Sequence, residues 1–269
     1  GEGSVGGGVY GAAGGARAGS RDGIQEALDG CAAAGGGIVR FAPGIYLTGA
    51  VFVKANTTLH LDKGVTLRAS QDLADYRYID SRIAGVEMRW PAAIVNVVDQ
   101  ENVAITGNGT IEGRGKPFWD KYWETRREYE KKGLRWIVDY DVDRPRGILV
   151  QNCTNVTLSD FVVYQTGFWA VHILYSQHVT MDGVIINNNI GGHGPITVGV
   201  DSDSTSDILE HNCDITCNDD NFWLKAGCVE DGSPVDPSWQ PVSTVVGMAR
   251  SGRGANTSGV QTRAGTPRT

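Results

Sequence analysis

Paired cysteines, long apolar runs and an excess of positive charge are all missing from this sequence. Five Cys (Cys31, Cys153, Cys213, Cys217, Cys228) make an odd number without a C-x-x-C pair, so no disulfide framework is indicated. Cys213 and Cys217 lie four apart, but no second ligand pair follows, which argues against zinc and leaves small buried strand residues as the expected role. No apolar stretch approaches the ~18 residues of a membrane span, and residues 1–8 have neither the basic end nor the apolar segment of an export signal. A soluble chain with no membrane partner is therefore expected. Lys and Arg number 24 against 31 Asp and Glu, a net charge of −7, which excludes a nucleic-acid backbone as the main partner. Proline is scarce, at nine residues, and no G-X-Y period accompanies the 37 glycines, so collagen is excluded too. With 41% hydrophobic residues the chain can bury a sizeable core, and one globular domain is the default.

Residues 1–22 contain nine glycines and no Leu, Ile or Phe, and are expected to be irregular. Ile24, Ala27 and Leu28 then recur at helical spacing until Gly35-Gly36-Gly37 stops the run, which predicts a short helix over residues 20–34. Strand-like segments follow at Ile38–Phe41, Ile45–Leu47, Ala50–Val53, Thr58–Leu61 and Val65–Leu67, too short and too evenly spaced for alternating strand and helix units.

One phrase recurs: Asn102-Val103-Ala104-Ile105-Thr106, Asn155-Val156-Thr157-Leu158-Ser159, His178-Val179-Thr180-Met181-Asp182, and more weakly Asp207-Ile208-Leu209. The starts lie 53, 23 and 29 residues apart, and the first interval reads as two repeats with an insertion. Short strands at a period of this size imply a solenoid. Alternating apolar residues send one face into a continuous stack, and Asn at the corner suits a tight turn whose amide bonds the next coil. The architecture implied is all-β, a parallel β-helix with a short N-terminal capping helix that covers open strand edges. Residues 113–147, with Trp119, Trp123 and Trp136 around a charged run, read as a helical excursion from the coil. The solenoid pattern spans 23–227. Residues 229–269 contain no Leu, Ile, Phe or Tyr, so 228–269 is expected to be an irregular tail. Both flanks lose the pattern abruptly, as a shifted reading frame or truncated gene would produce.

Candidate catalytic groups concentrate in Gly191 to Asp203 and in Cys217-Asn218-Asp219-Asp220-Asn221. Asp201 precedes Asp219 by 18 residues, a separation that can place both carboxylates on one outer face of neighbouring coils. Paired carboxylates suit glycoside hydrolysis, one protonating the leaving oxygen and one activating water. The vicinal pair can push one carboxyl pKa upward.

Several motifs resemble glycoside hydrolase family 28, the polygalacturonase and rhamnogalacturonan hydrolase family. They are Cys31 to Tyr46, Gly107-Asn-Gly-Thr-Ile-Glu-Gly113, Arg144-Pro-Arg146, Phe168-Trp169 with His172, and Asn218-Asp-Asp-Asn-Phe-Trp-Leu-Lys-Ala-Gly227. The resemblance implies a right-handed single-stranded parallel β-helix and inverting hydrolysis of α-linked galacturonic-acid-containing polysaccharide, with no cofactor and no metal. It assigns Asp219 as general acid and Asp220 to water activation. The Asp of the family's first element falls on Val198, leaving Asp201 to substitute from a neighbouring position. The family's later Gly-His-Gly and Arg-Ile-Lys elements do not occur after Gly227. His193, within Gly192-His193-Gly194, reads as support for the cleft. Trp169 and His172 are candidates to line it, with Arg144, Arg146 and Lys225 as partners for an acidic sugar and Trp119, Trp123 or Trp136 as ring platforms. The expected partner is an acidic plant cell-wall polysaccharide, pectin, met by a monomer outside the cell or in the periplasm. Two other readings stand beside this one: a non-catalytic glycan-binding β-helix, and a calcium-dependent pectate lyase.

Overall fold

The computed structural model describes residues 8–12 and 20–225. From Gly37 onward short strands succeed one another in a fixed order, and each lies parallel beside its counterpart one turn earlier. The first sheet contains Gly37–Phe41, Thr57–His60, Glu101–Thr106, Thr154–Ser159, Gln177–Asp182 and Ser206–His211. The second contains Gly44–Thr48, Val65–Ala69, Thr110–Glu112, Val162–Tyr164, Ile185–Asn187 and Asp214–Thr216. The third contains Val51–Phe52, Val95–Val98, Ile148–Gln151, Val171–Leu174, Val200–Asp203 and Phe222–Lys225. Each coil takes one strand from each sheet in turn, the parallel β-helix that the repeats imply.

Alternation along each strand sends every second side chain inward, and parallel register stacks like on like. One inward row runs Val39, Leu59, Ile105, Leu158, Met181, every member buried. The next position in that row is Glu210, register partner of Met181 and only 1% exposed. Its Oε1 accepts from the Ser202 hydroxyl at 3.4 Å, while Oε2 has no partner. Burial pushes this carboxyl up to about 7.

The start of each first-sheet strand carries the second repeating device. Asn56, Asn102, Asn155, His178 and Asp207 all have φ between 54° and 59°, the left-handed region that Asn tolerates better than most residues. The amide of Asn102 donates to Asn56 Oδ1 at 3.2 Å and that of Asn155 to Asn102 Oδ1 at 2.6 Å, which bears out the expected side-chain bridge between coils. Asn102 and Asn155 belong to adjacent coils, because Glu101–Thr106 pairs directly with Thr154–Ser159. The 53-residue interval is therefore one coil lengthened by an excursion, not two repeats.

Helix α1 (Ser20–Ala33) buries Ile24, Leu28 and Cys31 against the first coil, and Gly36 allows the chain to turn out of it. A Cβ there would sit 2.2 Å from the Asn56 carbonyl oxygen, at φ +106°. Gln25 serves the exposed edge of the third sheet: its Oε1 accepts from Phe52 N at 2.8 Å and its Nε2 donates to Phe52 O at 3.0 Å. The flank expected to be irregular contains a strand, Gly8–Ala12, which extends the first sheet by pairing parallel with Gly37–Phe41. Such pairing uses backbone groups, so a glycine-rich segment without Leu, Ile or Phe can still supply it. The tail 228–269, with Cys228, lies outside the described residues.

Two excursions leave the coil at the same corner, between the second and third sheets. One is the antiparallel hairpin Tyr78–Ile83 with Val86–Pro91, which the sequence reading did not anticipate. The other is the expected helical excursion, with α2 (Lys116–Lys131) and α3 (Val138–Asp141). Trp119 pins α2 to the solenoid: it is buried, and its Nε1 donates to the Thr166 carbonyl at 3.0 Å. Cys31, Cys153, Cys213 and Cys217 are unpaired and buried, as expected, but they sit in α1 and at corners rather than in strands. At a corner the thiol can donate to a carbonyl that the sheet leaves over, as Cys153 does to Val97 O at 3.2 Å.

Candidate active site

The corner between the second and third sheets is where the candidate groups meet. In successive coils it consists of residues 165–170, 188–199 and 217–221, and these turns are tied to one another. Asn188 Oδ1 accepts from Thr166 N at 3.0 Å, and Thr197 Oγ1 donates to Asn188 O at 3.2 Å. Asn218 Nδ2 donates to Gly194 O at 2.8 Å, and Gly199 N donates to Asp220 O at 3.0 Å. Beneath the last turn, the Cys217 thiol lies 3.1 Å from Asp219 O and 3.2 Å from Asp220 O. The Asp219–Asp220 pair is thus fixed by its backbone, with both side chains left partly open.

A cleft of about 520 Å³ lies over this corner, with Asp219, Asp220, Phe168, Trp169 and Trp223 on one side and Arg135, Trp136, Asp139 and Tyr140 from the helical excursion on the other. The hairpin contributes Ile83 and Ala84. Partial burial, with the charges of Asp220 and Asp139, holds the Asp219 carboxyl above its ordinary range, while the amide of Asp220 donating to Asp219 Oδ1 at 2.9 Å opposes the rise. Asp139 is itself held: its Oδ1 accepts from the Tyr122 hydroxyl at 2.6 Å and its Oδ2 lies 3.3 Å from Arg135 Nη1. A carboxyl biased toward the protonated form beside a second carboxylate is an arrangement suited to acid and base work.

Asp201 does not reach this cleft. It sits on the outer face of Val200–Asp203 beside His172 of the preceding coil, fully buried, and it pairs with Lys225 Nζ. Burial raises its carboxyl to about 6 even with that ammonium against it. Lys225 is held in turn between two indoles, its Nζ 4.1 Å from the Trp169 ring centre and 3.8 Å from that of Trp223. Arg146, placed by the sequence among the sugar-binding residues, is buried and donates from Nη1 to Ser81 Oγ at 3.0 Å and to His172 Nδ1 at 2.8 Å. Burial lowers this guanidinium to about 9, and burial together with neighbouring cations drives His172 well below its ordinary value, so the ring is neutral. The covering hairpin adds Arg82, whose Nε lies 3.2 Å from Asp203 Oδ2. The cluster is a packed ionic layer beneath the cleft.

Arg144 is equally buried, stacked 4.2 Å from the Phe168 ring centre and donating to Pro195 O at 2.9 Å. Arg144 and Arg146 are unavailable to a ligand because the hairpin and the excursion close over them. Trp169 forms cleft floor, stacked 4.4 Å from Phe168 and edge-on to His172 at 4.9 Å. His193 is exposed and does not line the cleft; its carbonyl accepts from Trp123 Nε1 at 2.7 Å, which ties the excursion to the corner. Val198 is fully buried among Trp90, Phe168 and Trp169, so this position offers no base. Of the three Trp proposed as platforms, Trp119 is buried, Trp123 is half-buried and Trp136 lies at the cleft, 72% exposed. Arg135, Asp139 and Trp223 were not singled out from the sequence, although Arg135 stands next to a Trp that was. No group of three or more His, Cys, Asp or Glu able to hold a metal occurs among the described residues.

Residues 47–230 match the family model described as glycosyl hydrolases family 28. The chain is 25% identical to the exo-poly-alpha-D-galacturonosidase of Dickeya chrysanthemi over 90% of its own length and 45% of the relative's. It is 27% identical to the endo-polygalacturonase of Pectobacterium parmentieri over 76% of this chain and 50% of that one. The chain thus spans about half the length of these curated relatives. Its fold is shared with the family 28 exopolygalacturonase of Yersinia enterocolitica, with a TM-score of 0.69 at 19% identity over 90% of this chain and 48% of that structure.

Proposed function

The chain belongs to glycosyl hydrolases family 28, and from that premise we propose that it hydrolyses α-linked galacturonic-acid-containing polysaccharide with inversion. Asp219 gives its proton to the glycosidic oxygen as the bond to the anomeric carbon breaks. Asp220 takes a proton from the water whose oxygen attacks that carbon from the opposite face. The observation that carries this reading is the single cleft in which both carboxylates stand open beside aromatic rings, with Asp219 biased toward its protonated form. The relatives named as exo- and endo-polygalacturonases support an acidic pectic polymer as substrate. A site of action outside the cell or in the periplasm follows from where such polymers lie, and the chemistry needs no cofactor.

A second reading, a glycan-binding β-helix without catalysis, is favoured by Val198 and by the enclosure of Asp201. Reducing-end release from polygalacturonate and rhamnogalacturonan, measured with and without chelator, separates the two. Hydrolysis without unsaturated product, abolished in Asp219→Asn, supports the enzyme. Binding with no products supports the second reading, and chelator-sensitive unsaturated product supports a lyase. Wild-type rates in Asp219→Asn sink the acid assignment.

A further inference from the structure

Besides the open Asp219–Asp220 pair, the cleft is lined by two side chains from the segment between α2 and α3, Arg135 and Trp136. Trp136 is 72% exposed there, the most open large hydrophobic side chain among the described residues. Its neighbour Arg135 has its guanidinium carbon 4.3 Å above the indole and Nη1 3.3 Å from Asp139 Oδ2, so the head group is held in place at the cleft. Five donors belong to a guanidinium, and the Asp139 contact engages one nitrogen. Among the described residues that line the cleft, Arg135 is the one cation, facing Asp139, Asp219 and Asp220. The cations proposed from the sequence are otherwise engaged: Arg144 and Arg146 are buried, and Lys225 is paired with Asp201.

We propose that Arg135 and Trp136 read the acidic sugar chain, the guanidinium taking the carboxylate of one residue and the indole face that Arg135 leaves open taking the ring of a neighbouring one. This rests on the pectic-substrate reading above for the class of sugar. The electrostatics explain why one arginine decides selectivity. Three acidic side chains line the cleft and one of them, Asp219, is biased toward its protonated form, so an anionic ligand still meets the charges of Asp139 and Asp220 unless Arg135 offsets them, whereas a neutral ligand pays no such penalty. Arginine suits the task because its planar fork matches a carboxylate in two parallel hydrogen bonds, and because it stacks on aromatic rings. Asp139, anchored by Tyr122, orients the guanidinium without neutralising all its donors.

The test is binding, so that turnover does not confuse it. Trigalacturonate and its neutral methyl ester are titrated into the full chain carrying Asp219→Asn, with tryptophan fluorescence and calorimetry as readouts. Wild-type Arg135 is expected to favour the acid. Arg135→Gln weakens acid binding about 10- to 100-fold and ester binding less than about threefold, while Arg135→Lys recovers part of the acid affinity. Trp136→Ala weakens both ligands and reduces the fluorescence change. If Arg135→Gln weakens acid and ester equally, the residue is merely structural and the proposal falls. It falls as well if the acid binds no better than the ester or if neither binds. Acid-selective, Arg135-dependent binding in a wild-type chain that releases no reducing ends sinks the hydrolase reading and leaves this one standing. Hydrolysis with Arg135-independent affinity does the reverse.

Discussion

Replacing Glu210 by Met continues the apolar row with the side chain that its register partner Met181 already supplies. The consequence is a change in how stability depends on pH. The Glu210 carboxyl stands near 7 in the folded chain against an ordinary 4.5, so the folded state holds the proton more tightly. Its linked stability is full below pH 4.5 and is lost as pH rises through 7. At about 1.4 kcal/mol per pH unit this amounts to about 3 kcal/mol, of which about 2.5 kcal/mol disappears between about pH 5 and 8. Asp201, raised to about 6, contributes with the same sign, so the comparison of Glu210→Met with wild type isolates Glu210. Urea unfolding at the two pH values is the assay. The variant's advantage over wild type should grow by about 2.5 kcal/mol from pH 5 to pH 8. Parallel curves, differing by the same amount at both pH values, would refute the raised proton affinity of the buried Glu210 carboxyl in the stack.

Two further predictions concern the ionic layer and the corner ladder. Lys225→Met strips Asp201 of its ammonium in a fully buried site and should cost about 3–5 kcal/mol in denaturant unfolding. Adding Asp201→Asn should recover part of that, and a cost below about 1 kcal/mol would show the pair to be solvated. Asn102→Ala loses amide contacts to both neighbouring coils and keeps φ at 56°, so it should destabilise more than Asn102→Gly. The gap, about 1–2 kcal/mol, is the cost of a Cβ in the left-handed region, and thermal or urea unfolding of the two variants measures it.

The coils were legible because strand alternation and corner Asn are local signals, and parallel stacking repeats them. The hairpin Tyr78–Pro91 was not. Its turn places Ala84 at φ 47° and Gly85 at φ 89°, the left-handed pair that Asn-Gly usually announces. Ala in the first position conceals the signal. The vicinal Asp219 and Asp220 could be found because their spacing and neighbours are sequential. Arg135 and Asp139 could not, because they join the cleft only when a segment some eighty residues upstream folds back over the corner. Arg144 and Arg146 were misplaced for the complementary reason. Two arginines around a proline look like an exposed turn, and only the covering hairpin and helices turn them into interior residues.

The corner between the second and third sheets varies in length from coil to coil, from 217–221 and 165–170 to the long segments 70–94 and 113–147, yet strands on either side keep their register. Backbone pairing along the stack thus accommodates inserts of very different length at one rim. Floor and wall of the cleft are separate inserts at one repeating address, joined to each other by the bonds of Trp119 Nε1 to Thr166 O and Trp123 Nε1 to His193 O. On the proposal that Arg135 and Trp136 meet the ligand, exchanging the short link 132–137 between α2 and α3 changes selectivity, while the anchored residues on either side and the Asp219–Asp220 turn stay where they are.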